Sequence, residues 1–203
     1  VRVGITYAPG SRQSIAVLGG TGLALDSVRT MLKRDLDFSD RFDVVAPPAS
    51  ALRPGTAPDY RALTALGTDL AVTVTPKPDP QGRDVEIALH DVRSGSVRSR
   101  LDLALPAAGP GAEPFRLAVH QAADQVVRWA TGSSGVASTT ILYVEGGRLW
   151  RVDPDGQGRA PVPSAGRPAL SPTWAPDGRT IAYTALVRSG TPVVLQDLAG
   201  GHR

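Results

Sequence analysis

The chain has 203 residues, 41% of them hydrophobic and 20% charged, with 18 prolines and 22 glycines. That balance suits a folded chain rather than a disordered one, and so many turn-formers exclude an all-helical bundle. The formal charge of +3 is scattered, and apart from Trp150 between Arg148 and Arg151 no tryptophan, tyrosine or phenylalanine sits among closely spaced arginines, so the extended basic stripe with interleaved stacking platforms of a nucleic-acid surface is not expected.

Val1, Val3 and Ile5 alternate, which predicts a half-buried strand over residues 1–7. That opening lacks the basic leader and apolar core of a signal peptide and reads as a first strand, so any export signal would lie before this numbering. No apolar run approaches the ~18 residues of a spanning helix, and direct membrane insertion is not expected. Ser14–Leu18 reads as a short strand, followed by Gly19, Gly20, Thr21 and Gly22. Leu25, Val28, Leu32 and Leu36 then recur at helical spacing, with Arg29, Lys33 and Asp35 assigned to water. The helix should end near Asp37, before a strand over Phe42–Val45.

Residues 46–58 are rich in proline, with no period. Thr56 and Asp59 have the spacing of a capping box, and Tyr60, Leu63 and Leu66 would form the apolar side of a short helix. Gly67 is placed to end it in a left-handed conformation. Leu70–Val74 returns to strand. In residues 84–91, Val85, Ile87 and Leu89 face one way, while Asp84, Glu86 and His90 face the other. Arg93-Ser94-Gly95-Ser96 makes a hairpin turn into a strand carrying Val97, Leu101, Leu103 and Leu105. Two such strands need a covering layer, supplied by a helix from about Glu113 to Thr131 with Phe115, Val119, Ala122, Val126 and Ala130 as its stripe. Residues 1–133 therefore read as one α/β domain with a mixed sheet.

Beyond Thr131–Gly135 the helical period disappears. Four strand-like pieces, at 140–144, 148–152, 180–184 and 193–197, alternate with glycine- and aspartate-rich bends, the texture of a sandwich or propeller. Within S-P-T-W-A-P-D-G-R-T-I-A-Y, Pro176 fixes the backbone entering a turn, Asp177 accepts local hydrogen bonds, and Gly178 tolerates positive φ. Trp174 before the turn and Ile181 and Tyr183 after it supply packing surface, with no acid, base or nucleophile required.

The order of a tyrosine strand (Tyr143), an aspartate–glycine turn, the Ser171-Pro172-Thr173-Trp174 strand, Pro176-Asp177-Gly178 and a second tyrosine strand (Tyr183) resembles the repeating blade of the TolB family. Ser14–Leu18 with Gly19-Gly20, then Ala65–Asp69, then His90–Gly95, fall in the order expected of that family's amino-terminal α/β domain. Phe115–Ala118 with His120 and Ala123-Asp124 resembles the start of its last helix. The resemblance implies a periplasmic, non-enzymatic protein-binding component of the Tol–Pal envelope system, which supports outer-membrane integrity and cell division and is exploited for colicin import. It implies a Pal-like lipoprotein partner on a six-bladed propeller and a TolA-like partner on an amino-terminal segment. Residues 134–203 are expected to form the start of a WD40-like β-propeller, about one blade of the six, apparently truncated, with much of the Pal-contacting surface absent. The alternatives are another exported blade-repeat protein, a sensor or peptidase-associated chain with its catalytic part beyond residue 203, and an α/β domain that mediates self-association.

Candidate chemical sites are few. Cysteine is absent, which removes disulfides, thiolate catalysis and cysteine metal sites. His120 and Asp124 have the spacing of a helical side-chain pair, but no third ligand lies nearby in sequence, so a surface or capping role is expected. His90 is expected to be exposed on the polar face of its strand, and His202 lies near the end of the sequence. The Gly19–Gly22 stretch lacks both the dinucleotide and the phosphate-loop spacing. Neither Ser133 nor Ser171 sits in Gly-x-Ser-x-Gly. The carboxylates of Asp84, Glu86, Asp153, Asp155 and Asp177 are not brought together by sequence alone, and Asp153–Gly156 reads as a turn rather than a calcium loop. The sequence therefore predicts no catalytic, cofactor-binding or metal-binding residue.

Overall fold

The computed structural model describes residues 12–19, 22–47, 51, 57–163 and 167–198. The strand expected over 1–7, together with Gly20, Thr21, Thr56 and His202, lies outside the described residues. The chain divides into two compact units, Val1–Gly135 and Val136–Arg203.

The first unit runs β1 (Gln13–Gly19), α1 (Leu23–Phe38), β2 (Phe42–Val45), α2 (Tyr60–Ala65), β3 (Leu70–Pro76), β4 (Asp84–Asp91), β5 (Ser96–Ala104) and α3 (Glu113–Thr131). Its strands form one mixed sheet in the order β2-β1-β3-β4-β5. β1 lies parallel to both β2 and β3, whereas β3–β4 and β4–β5 are antiparallel. Helices cover both faces. Val28, Leu32 and Leu36 of α1 and Phe115, Val119, Ala122 and Val126 of α3 are buried, and the two helices contact each other as well as the sheet. On the opposite face, Leu63 of α2 packs in one cluster with Ala16, Leu18, Ala51, Ala71 and Val92.

The local signals act where the sequence places them. Asp59 is the N-cap of α2 and accepts a hydrogen bond from the backbone N–H of Ala62, satisfying one orphan donor of a helix too short to persist alone. Gly67 has φ 71°, and the N–H of Thr68 beyond it donates to the Leu63 carbonyl at 3.0 Å, a glycine-based stop. The helix spans only Tyr60–Ala65, so Leu66 falls past its end and is exposed instead of joining the apolar side. α3 ends at Gly132, which adopts φ 77°.

The second unit contains β6 (Ile141–Glu145), β7 (Arg148–Val152), β8 (Ala160–Val162), β9 (Ala169–Trp174), β10 (Thr180–Ala185) and β11 (Val193–Asp197). They form two three-stranded antiparallel sheets, β6-β7-β8 and β11-β10-β9. The strands are thus divided between two sheets, where the sequence suggested about one blade. Leu149 and Val162 of the first sheet and Ala169, Ile181, Tyr183 and Ala185 of the second share one buried cluster with Leu198. Alternation explains the pairing of faces, because Ile181, Tyr183 and Ala185 point one way along β10 while its intervening residues do not bury fully. No closed ring of sheets is present among the described residues.

Candidate functional site

The Pro-Asp-Gly segment is a hairpin that closes β9 onto β10. Gly178 N–H donates to the Ala175 carbonyl at 3.1 Å, and Ala175 N–H to the Thr180 carbonyl at 2.8 Å. Asp177 Oδ1 accepts from the backbone N–H groups of Arg179 and Thr180, both at 2.8 Å, and Oδ2 accepts from the Thr180 hydroxyl at 2.7 Å. These donors, Thr180 foremost, hold the Asp177 carboxyl at about 2, below its ordinary 3.8. Trp174 packs against the shared cluster from its edge and is half-buried, with its indole N–H donating to the Thr140 carbonyl at 3.0 Å. The indole therefore flanks the core rather than filling it. Ser171 takes φ 49°, where the β9–β10 register shifts. It is a bulge residue ahead of Pro172.

Both described histidines are buried, contrary to the expectation of exposure. His90 sits on the face of β4 that carries Ala88 and Glu86, opposite Ala71 of β3. That face is polar in sequence, yet α2 covers it. Tyr60 of α2 brings its hydroxyl 2.9 Å from His90 Nδ1, and Thr73 Oγ1 lies 3.0 Å from Nε2. Burial first, and the Arg100 charge second, push the imidazole below its ordinary 6.5. His120 does not pair with Asp124 as its main partner. Its Nδ1 lies 2.7 Å from Oδ2 of Asp35, both side chains being almost wholly buried where α1 meets α3. The sequence reading places Asp35 toward water, whereas the structure buries it. Its place seven residues after Val28 and three after Leu32 puts it on the apolar stripe instead, and that spacing was the available signal.

The remaining candidates are placed by the backbone and its contacts. Gly22 is the N-cap of α1 with φ 134°, a backbone that side chains rarely adopt. A Cβ on Gly19 would meet Arg29 Cδ at 3.1 Å, so α1 packs closely over the strand end. Asp153–Gly156 is a turn, with Gly156 N–H donating to the Asp153 carbonyl at 2.8 Å. Glu86 is 3.6 Å from Arg100. Among the described residues, no group of three or more His, Cys, Asp or Glu side chains could hold a metal ion, and no helix is long and apolar enough to cross a membrane.

A mixed-sheet α/β unit followed in sequence by short antiparallel sheets, closed by a Pro-Asp-Gly hairpin and sharing one core, defines the class of protein to which this chain is structurally akin. Its similarities run to the TolB family. Residues 1–97 match the family model of the TolB amino-terminal domain. The chain is 30% identical over 206 aligned positions to the Tol-Pal system protein TolB of Albidiferax ferrireducens, covering 99% of this chain and 47% of that one. It is 31% identical over 201 positions to the protein of the same name from Methylococcus capsulatus, covering 94% of this chain and 46% of that one. The crystal structure of TolB from Acinetobacter baumannii matches 97% of this chain and 50% of its own with a TM-score of 0.75 at 26% identity. The chain spans about half the length of the curated relatives it matches.

Proposed function

We propose that this chain acts as a periplasmic, non-enzymatic protein-binding component of a Tol–Pal envelope system. In this reading, residues 1–133 are the amino-terminal α/β domain and residues 134–203 the start of a β-propeller. The single observation that carries the reading is similarity along 99% of the chain to a protein named for that system, running through both kinds of architecture rather than through one domain. The two three-stranded sheets are read as parts of two neighbouring blades. Support comes from their shared core and from Val193 and Leu195, exposed at 71% and 74% on β11, an apolar outer face of the kind that stacked repeats cover.

The partners of this reading are a Pal-like lipoprotein and a TolA-like protein, and the roles are support of outer-membrane integrity, division and colicin import. Binding of the full mature protein to its own organism's Pal and TolA homologues, measured by pull-down and calorimetry, tests it. Binding to either supports the reading, and failure to bind both overturns it.

A further inference from the structure

The first unit carries an open cleft of about 480 Å³ between α2 and the β4–β5 turn, lined by Tyr60, Arg61, Thr64, Val92, Arg93 and Ser94 among others. Its floor is apolar and fixed. Tyr60 is anchored through its hydroxyl, 2.9 Å from His90 Nδ1, and its ring packs over Gly95 at ordinary van der Waals distance, 3.5 Å from where a Cβ would sit. Val92 beside it is buried.

The rim is cationic. The neighbouring carboxylates are already committed: Asp59 caps Ala62 N–H, and Asp91 accepts from Ser94 N–H and pairs with Arg98. Arg61 and Arg93 have no hydrogen-bond or ion-pair partner among the described residues. Two guanidinium groups with no partner among the described residues, beside an ordered aromatic floor, match a carboxylate attached to an apolar group, because arginine pairs with carboxylates through parallel N–H donors.

We infer that this cleft is a docking site for an extended acidic peptide segment, one carboxylate side chain meeting Arg61 and Arg93 while an adjacent apolar side chain rests on Tyr60 and Val92. The occupant is a peptide rather than a polyanion, since Asp59 and Asp91 flank the two arginines in sequence and break any run of positive charge. The inference rests only on residues of this unit and does not depend on the Tol–Pal reading.

The test uses the 203-residue chain, isotopically labelled, titrated with an acetylated octapeptide of alternating Glu and Leu and, separately, with its Gln–Leu counterpart. The expected result is that amide signals of Ala65, Ser94 and Gly95 shift with the Glu peptide and not with the Gln peptide. The double variant Arg61→Ala/Arg93→Ala should weaken that binding by about tenfold or more, and Arg61→Lys/Arg93→Lys should fall between. Both arginines are exposed, and an unchanged circular dichroism spectrum checks that the variants fold. No shift at millimolar peptide, equal shifts with the Gln peptide, shifts confined to other surfaces, or undiminished affinity in the double alanine variant would each overturn the inference.

Discussion

A buried imidazole makes stability depend on acidity in a way that can be worked out residue by residue. His90 binds its proton less readily folded than unfolded, because burial opposes the charge. As pH falls through its ordinary 6.5, the unfolded chain takes up the proton first, so folding free energy is greatest above that value and declines below it until the folded form also titrates. Denaturant unfolding of the first unit from pH 8 to pH 5 should show this decline, and His90→Gln should flatten it. Asp177 has the same sign in a different window. Its carboxyl is held at about 2 against an ordinary 3.8, so its contribution is present above that ordinary value and is lost as pH falls toward about 2. Asp177→Ala should lower the midpoint of the second unit at pH 7 but not at pH 2. The Asp35–His120 pair gives a third expectation. Asp35→Ala removes a buried acceptor and should cost about 1–3 kcal/mol. A double-mutant cycle with His120→Ala should return a coupling of about 1–2 kcal/mol if the contact is direct.

At the level of elements, the sequence was most legible where one local rule acted alone. The span of α3 follows from its stripe and from Gly132, and the β4–β5 hairpin from alternation broken at residues 92–95. The Pro-Asp-Gly hairpin was equally plain. Legibility failed where a second layer decided burial. The face of β4 bearing Glu86 and His90 reads as solvent-facing only if the sheet has one covered side, and α2 covers the other. α2 itself is legible from its Asp59 cap and Gly67 stop, but nothing local in the sequence shows which face of the sheet it covers. β8 is not legible in the sequence because Pro161 lies in its middle. Proline is tolerated there because β8 is an edge strand paired only to β7. Nor did the chain reveal that its carboxyl-terminal strands split between two sheets, since pairing partners are set by tertiary contact. In the candidate cleft, Arg61 and Arg93 are 32 positions apart (93 − 61), so no spacing rule connects them. Because Trp174 is half-buried beside the core, Trp174→Ala should cost about 2 kcal/mol, less than the about 3–5 of a fully enclosed indole, read as a shift in the denaturant midpoint.

For the whole molecule, the two units have separate cores, Val1–Gly135 around a helix-covered sheet and Val136–Arg203 between two small sheets. Arg61→Ala/Arg93→Ala and Trp174→Ala act on different units, and their effects on stability should add within about 0.5 kcal/mol, as for sites that share no partners. The indole clip from Trp174 to the Thr140 carbonyl has a practical consequence. Trp129 belongs to the first unit, and Trp150 and Trp174 to the second. Replacing Trp129 by phenylalanine leaves every remaining indole chromophore in the small-sheet body, so emission wavelength becomes a direct optical gauge of whether that body is assembled. Melting of the small-sheet body can then be followed with no tryptophan signal from the first unit.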